Sequence, residues 1–136
     1  MSFAMSGPLQ AAVYDALSGD AALAGIIGTA VYDAVPNGNL PEIYVRLGAE
    51  EARDASDGTG AGAVHRFTVS VITTSPGFAQ AKAAAGAVSD ALHGRDLALS
   101  RGRIVFMRFD RARVRRAEGA STRQIDLRFV ARVQDD

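Results

Sequence analysis

The 136-residue chain contains no cysteine and no tryptophan, and a single lysine, Lys82. The missing thiols exclude a disulfide scaffold, a thiolate metal site and a cysteine nucleophile. No apolar run approaches the roughly 20 residues of a membrane span. Residues 1–8 carry no basic start ahead of an apolar stretch, so the reading is of a soluble protein made in a cytoplasm. Large apolar side chains are also scarce. The hydrophobic class is 48% of the chain, but 26 of those residues are alanine. Even so, a chain of this length can bury one core, and we read residues 1–136 as a single domain.

What the chain has in excess is arginine, which makes up fourteen of its fifteen cations. The formal net charge is zero, yet residues 1–94 carry four cations against nine acids, and residues 95–136 carry eleven arginines against six acids. Arginine is the cation suited to planar, bidentate pairing at interfaces. A two-ended charge distribution suits a protein that meets another copy more than one that binds nucleic acid.

Helical spacing of Leu9, Val13 and Leu17 after Ser6-Gly7-Pro8 predicts a first helix. Asp20 caps a short turn over 21–24, and Thr29–Val35 and Glu42–Leu47 read as strands. Residues 48–63 hold Glu50, Glu51, Arg53, Asp54 and Asp57 followed by a glycine-rich run, and read as a long mobile loop. Val64–Thr73 is a strand with Phe67, Val69 and Val71 on one face. Ser75-Pro76 opens an alanine-rich helix that Gly94 ends, with His93 placed to cap its last turn. Leu97–Leu99 reads as a strand fragment.

Two long strands, Arg103–Arg116 and Thr122–Val133, form a hairpin about residues 118–121. Face matching requires an odd residue sum, which sets Arg116 opposite Arg123, Arg113 opposite Asp126 and Arg111 opposite Arg128. It places Ile104 and Phe106 with Ala112 and Val114 on the core face, and Val105, Met107 and Phe109 on the other. A strand of about 12 residues spans roughly 40 Å, so the hairpin tip is expected to leave the core as an arm bearing Arg111, Arg113, Arg115 and Arg116. The fold class is α+β, a mostly antiparallel sheet with two main helices on one face and a long C-terminal β-hairpin.

Chemistry has little to build on. Gly58-Thr59-Gly60-Ala61-Gly62-Ala63 fits a loose dinucleotide pattern but opens a strand where a helix is required. His65 and His93 lack a metal-ligand spacing, and no serine sits in a nucleophile elbow. We expect no catalytic residue, cofactor or metal.

Leu9-Gln10-Ala11-Ala12-Val13-Tyr14-Asp15-Ala16-Leu17, Val31-Tyr32-Asp33-Ala34-Val35-Pro36 and Pro41-Glu42-Ile43-Tyr44-Val45 form a distinctive series. His65-Arg66-Phe67-Thr68-Val69-Ser70-Val71, the helix ending at His93-Gly94, and Ile104-Val105-Phe106-Met107-Arg108-Phe109 continue it in order. Together they resemble the small tail-completion proteins, or tail terminators, of long-tailed phages and phage-like gene transfer agents. The resemblance implies a structural protein of the virion tail, assembled in a bacterial cytoplasm. It implies a ring, a hexamer, that caps the tail tube and joins it to the head connector while DNA passes through the channel without sequence-specific contacts. Expected partners are further copies of the chain, the tube protein and the head connector or stopper, with no membrane. Candidate interface residues are Glu50, Glu51, Arg53, Asp54 and Asp57 with Arg111, Arg113, Arg115 and Arg116. The alternatives are a head-side connector or stopper of the same particle, or a small α+β enzyme or ligand-binding domain.

Overall fold

The computed structural model describes residues 3–58, 60–116 and 121–136. A 3-10 turn, Phe3–Met5, leads into α1 (Ser6–Ser18) and α2 (Ala21–Ile27). Strands β1 (Val31–Tyr32), β2 (Ile43–Asp54) and β3 (Gly62–Thr73) precede α3 (Ala79–Leu92), and β4 (Arg103–Arg116) and β5 (Arg123–Gln134) close the chain. The five strands form one sheet in the order β1-β2-β3-β5-β4. Only the β1–β2 pair is parallel. The chain is thus α+β with a mostly antiparallel sheet.

The helical stripe of α1 is buried as its spacing predicts, through Leu9, Ala12, Val13 and Leu17. Asp20 caps α2 by accepting the Leu23 amide at 2.9 Å, and the helix runs on to Ile27 before Gly28 turns the chain at φ 64°. In α3 five alanines are buried with Val88 and Leu92, so the helix lies close against its neighbours. The hydrophobic cluster takes in residues from all three helices and the odd-numbered positions of β3 and β5, among them Phe67, Val69, Val71, Ile125, Leu127 and Phe129. Phe129 is fully buried, 5.6 Å from Phe67 and 6.0 Å from Phe109 between ring centres.

Several expectations are corrected. α3 starts at Ala79, because Gly77 takes φ 77° and breaks the helical path from Pro76; the Ser75 hydroxyl donates to Glu42 and caps nothing. β1 holds only Val31–Tyr32, and Leu97 and Leu99 pack on the core without joining a strand. His93 does cap α3, its amide donating to the Ser89 carbonyl at 2.8 Å. Its Nδ1 accepts the Phe109 amide at 3.0 Å, which ties the helix end to the edge strand.

The long loop is also largely absent. β2 continues through Glu50, Glu51, Ala52, Arg53 and Asp54, paired with β3 from Phe67 back to Ala63, after a bulge between Leu47 and Glu50. The bulge adds one residue and turns Glu50 towards the helix side. The ladder satisfies the backbone that the sequence left without an apolar anchor, and residues 55–61 alone connect the strands.

The hairpin keeps the expected register in its distal half, with Arg116 opposite Arg123, Arg113 opposite Asp126 and Arg111 opposite Arg128. Nearer the base, bulges between Phe109 and Arg111 and between Ile104 and Phe106 absorb the two residues by which β4 exceeds β5. Each bulge switches the face. Met107 is therefore buried and Phe109 packs on the core while Phe106 is exposed, the reverse of the simple alternation, and Val105 in the bulge is exposed as well. The hairpin is not a free arm. β5 pairs with β3 along its whole length, and Arg116 ends level with Thr73. Residues 117–120 at the tip lie outside the described residues.

Candidate assembly surfaces

One face of the sheet carries the helices; the other is open. Register and alternation put ten of the fourteen arginines on the open face: Arg46, Arg53, Arg66, Arg103, Arg108, Arg111, Arg113, Arg115, Arg128 and Arg132. Glu51 and Asp126 are the carboxylates at register positions on that side. The charge split seen along the sequence is therefore a split through the thickness of the molecule. Arg46, Arg53 and Arg66, which belong to the acidic part of the chain, join the basic strands on the open face.

Asp126 anchors the polar centre of this face. It accepts from Ser70 Oγ at 2.6 Å, Gln124 Nε2 at 2.8 Å and Arg115 Nε at 3.1 Å. Partial burial pushes its carboxyl up, but these three donors outweigh the burial and hold it below the usual carboxylate range. The directly opposed Arg113 does not make this ion pair; the diagonal Arg115 does. Arg111 and Arg113 instead line a cavity of about 430 Å³ with Thr68, Asp126 and Arg128. Arg111 and Arg128 face each other directly across the strands, a like-charge pair that disfavours the free sheet.

Under the helices lies a polar cluster. His65 is fully buried, its Nδ1 donates to Glu50 Oε2 at 2.5 Å, and Ser6 Oγ donates to Glu50 Oε1 at 2.6 Å. Phe3 stacks on the imidazole with ring centres 6.3 Å apart, and His65 Nε2 has no hydrogen-bond partner among the described residues. This cluster pins the start of α1 to the sheet.

A third feature is a groove of about 610 Å³ between α1 and the free edge of β1. Tyr14, Asp15, Tyr32 and Asp33 are among its walls, and Gln10 Nε2 donates to Asp33 Oδ1 at 2.7 Å.

The residues singled out from the sequence are thus dispersed. Glu50 is a structural ligand of His65 and Ser6, not part of a solvated loop. Glu51 and Arg53 lie on the open face, Asp54 on the helix side at the end of β2, and Asp57 in the connection to β3. Arg111, Arg113 and Arg115 share the open face near the β4 edge, whereas Arg116 lies opposite Arg123 on the other side. The run from Glu50 to Asp57 forms no single acidic patch, and it sits across the sheet from the β4 arginines. Sequence reasoning missed Arg46, Arg66, Arg103, Arg108, Arg128 and Arg132, although period-two spacing against the apolar positions was the signal that could have found them.

Comparison with known proteins adds what this geometry lacks. A family model described as tail completion protein gp17 matches residues 11–134. The chain belongs to the tail completion protein gp17 family. Its fold also matches a chain in the solved structure of the virion of a native gene transfer agent particle, at 63% sequence identity. That match has a TM-score of 0.93 and covers 98% of this chain and 99% of that one. No curated protein matches the chain. The tail completion chain is accordingly a structural protein of a virion tail. Among its described residues no group of His, Cys, Asp or Glu is placed to hold a metal ion, and no helix is long and apolar enough to cross a membrane.

Proposed function

We propose that the chain is the tail terminator of a phage-like particle of the gene transfer agent type. Copies of this one-domain protein form a ring, a hexamer, on the last ring of tube protein. The ring stops further polymerisation, presents its far side to the head connector and leaves a central channel for DNA. The observation that carries this reading is the family match across residues 11–134, together with the near-complete fold match to a gene transfer agent virion chain. The shape of the molecule supports it. Closed rings need two different complementary patches on each subunit. This subunit has two sheet edges, β1 and β4, and one uncovered, strongly basic face.

Microscopy of particles from cells with and without the gene tests the proposal. Loss of the gene is expected to give overlong tail tubes or tails without heads, and restored particles should show a ring of this chain on the tail axis between tube and head. A single copy lying off the axis would overturn it.

A further inference from the structure

The α1/β1 groove and the arginine cradle at the β4 edge lie at opposite ends of one sheet. Their chemistries are complementary. The groove offers the exposed carboxylate of Asp15 and that of Asp33 beside two tyrosines, Tyr14 and Tyr32. The cradle offers Arg111 and Arg113 beside Arg128, where the carboxylate in its lining, Asp126, already takes three donors. Opposed like charges on neighbouring strands are unfavourable until an anion comes between them. Arginine and tyrosine are both enriched at protein interfaces, where arginine makes bidentate contacts with carboxylates and stacks on aromatic rings.

We propose that the β4 arginine cradle of one copy seats on the Asp15/Asp33 groove of the next copy, making the head-to-tail contact of the ring. The inference rests on the ring reading above and specifies its subunit interface. Because donor and acceptor patches sit at the two ends of the sheet, the contact is heterologous and each copy keeps one patch free for the following neighbour. Repetition then continues from copy to copy instead of stopping at a dimer, as a ring requires. DNA phosphate and the tube protein are the rival occupants of these arginines, and the test separates them from a second copy.

The chain has no cysteine, so a pair of introduced thiols would be the protein's only ones. Particles are produced from a gene carrying Arg113→Cys and Asp33→Cys together, and from each single change. On oxidation the double variant is expected to give a ladder of covalently linked copies, reversed by reductant, while each single variant gives none. A charge exchange provides the second arm. Arg111→Asp with Arg113→Asp, or Asp15→Arg with Asp33→Arg, should each lower particle yield about tenfold or more, and all four changes together should recover most of it. Circular dichroism of each purified variant checks that it folds. An axial ring without linked copies, or folded exchange variants that do not recover, overturns this pairing and leaves the ring intact. Particles lacking any axial ring of this chain overturn both.

Discussion

The two faces of the sheet are built from the same strands, yet they follow different rules. On the helix side, alternate positions of β3 and β5 are apolar and buried, and the buried His65 is held by Glu50. On the open side lie ten arginines, and among the described residues two of them, Arg108 and Arg115, pair with a carboxylate. The first face is nearly complete within one subunit, with His65 Nε2 and Arg123 Nε its buried polar atoms left without a partner among the described residues, because burial without a hydrogen bond is costly. The second carries charge in excess of what the fold uses, which is the ground for proposing it as a surface for contacts between molecules. Adjacent residues can belong to either regime, so the difference between the faces can be measured one side chain at a time.

The largest effect is expected at the centre of the covered face. Phe129→Ala removes a fully buried ring that contacts both Phe67 and Phe109. Its cost should be about 3–5 kcal/mol, read from denaturant unfolding of the purified chain. A loss under about 1 kcal/mol would mean that the covered face is not the core.

Glu50 and Glu51 give a sharper contrast, being neighbours on opposite faces of β2. Glu50→Ala strands the Ser6 hydroxyl and leaves the buried His65 without a carboxylate partner. It should destabilise by about 1–3 kcal/mol. Glu51→Ala, on an exposed site, should stay within about 0.5 kcal/mol of the parent. Hydrogen exchange offers a parallel check, since the amides of Glu50–Asp54 that bond to β3 should be protected. Equal effects of the two substitutions would erase the distinction between the faces here.

That contrast also marks where the sequence stopped being legible. The family, the α+β class and the distal hairpin register followed from residue patterns, because long amphipathic segments and a short turn constrain them tightly. The second half of β2 did not. Glu50, Glu51, Ala52, Arg53 and Asp54 have poor strand propensity, and what makes them a strand is the pairing with β3 and the buried partners of Glu50. The bulges in β4 were hidden for a similar reason. Both Phe106 and Phe109 are aromatic, and only the two-residue excess of β4 over β5 decides that Phe109 packs on the core and Phe106 does not. The arginine face escaped notice because its members come from four strands, and topology alone brings them together.

A smaller effect belongs to Asp126. Its carboxyl titrates below the ordinary range in the folded chain, with burial opposing and the bonds from Ser70, Gln124 and Arg115 prevailing. A carboxyl lowered by folding adds stability that is fully present above its unfolded pKa and is lost as pH falls through the folded value. Stability measured from neutral pH down through the carboxylate range should therefore fall, and Asp126→Asn should flatten part of that fall. The partly solvated site limits the difference to about 1 kcal/mol or less. An unchanged acid limb in the variant would mean that the three bonds do not favour the charged form.

The smallest effect on stability is expected to have the opposite sign. Arg111 lies directly across from Arg128, and its side chain is exposed at the edge of the sheet. Arg111→Glu replaces a repulsive cross-strand pair with an attractive one and removes no buried contact. It should leave the isolated chain as stable as the parent or more stable by about 0.2–1 kcal/mol, and added salt should shrink the gain. On the covered face substitutions of comparable size should lower stability, because the apolar side chains there are closely packed and buried. Assembly should respond in the other direction. The same Arg111→Glu with Arg113→Glu should yield folded, soluble protein that fails to terminate tails, since charges that matter little when exposed can be worth roughly 2–5 kcal/mol once paired and partly desolvated between molecules. Normal particles from this double variant would show that the open face is only solvated surface. A destabilised or unfolded Arg111→Glu chain would show that these arginines belong to the fold, and the division between the two faces would fail at its most exposed strand.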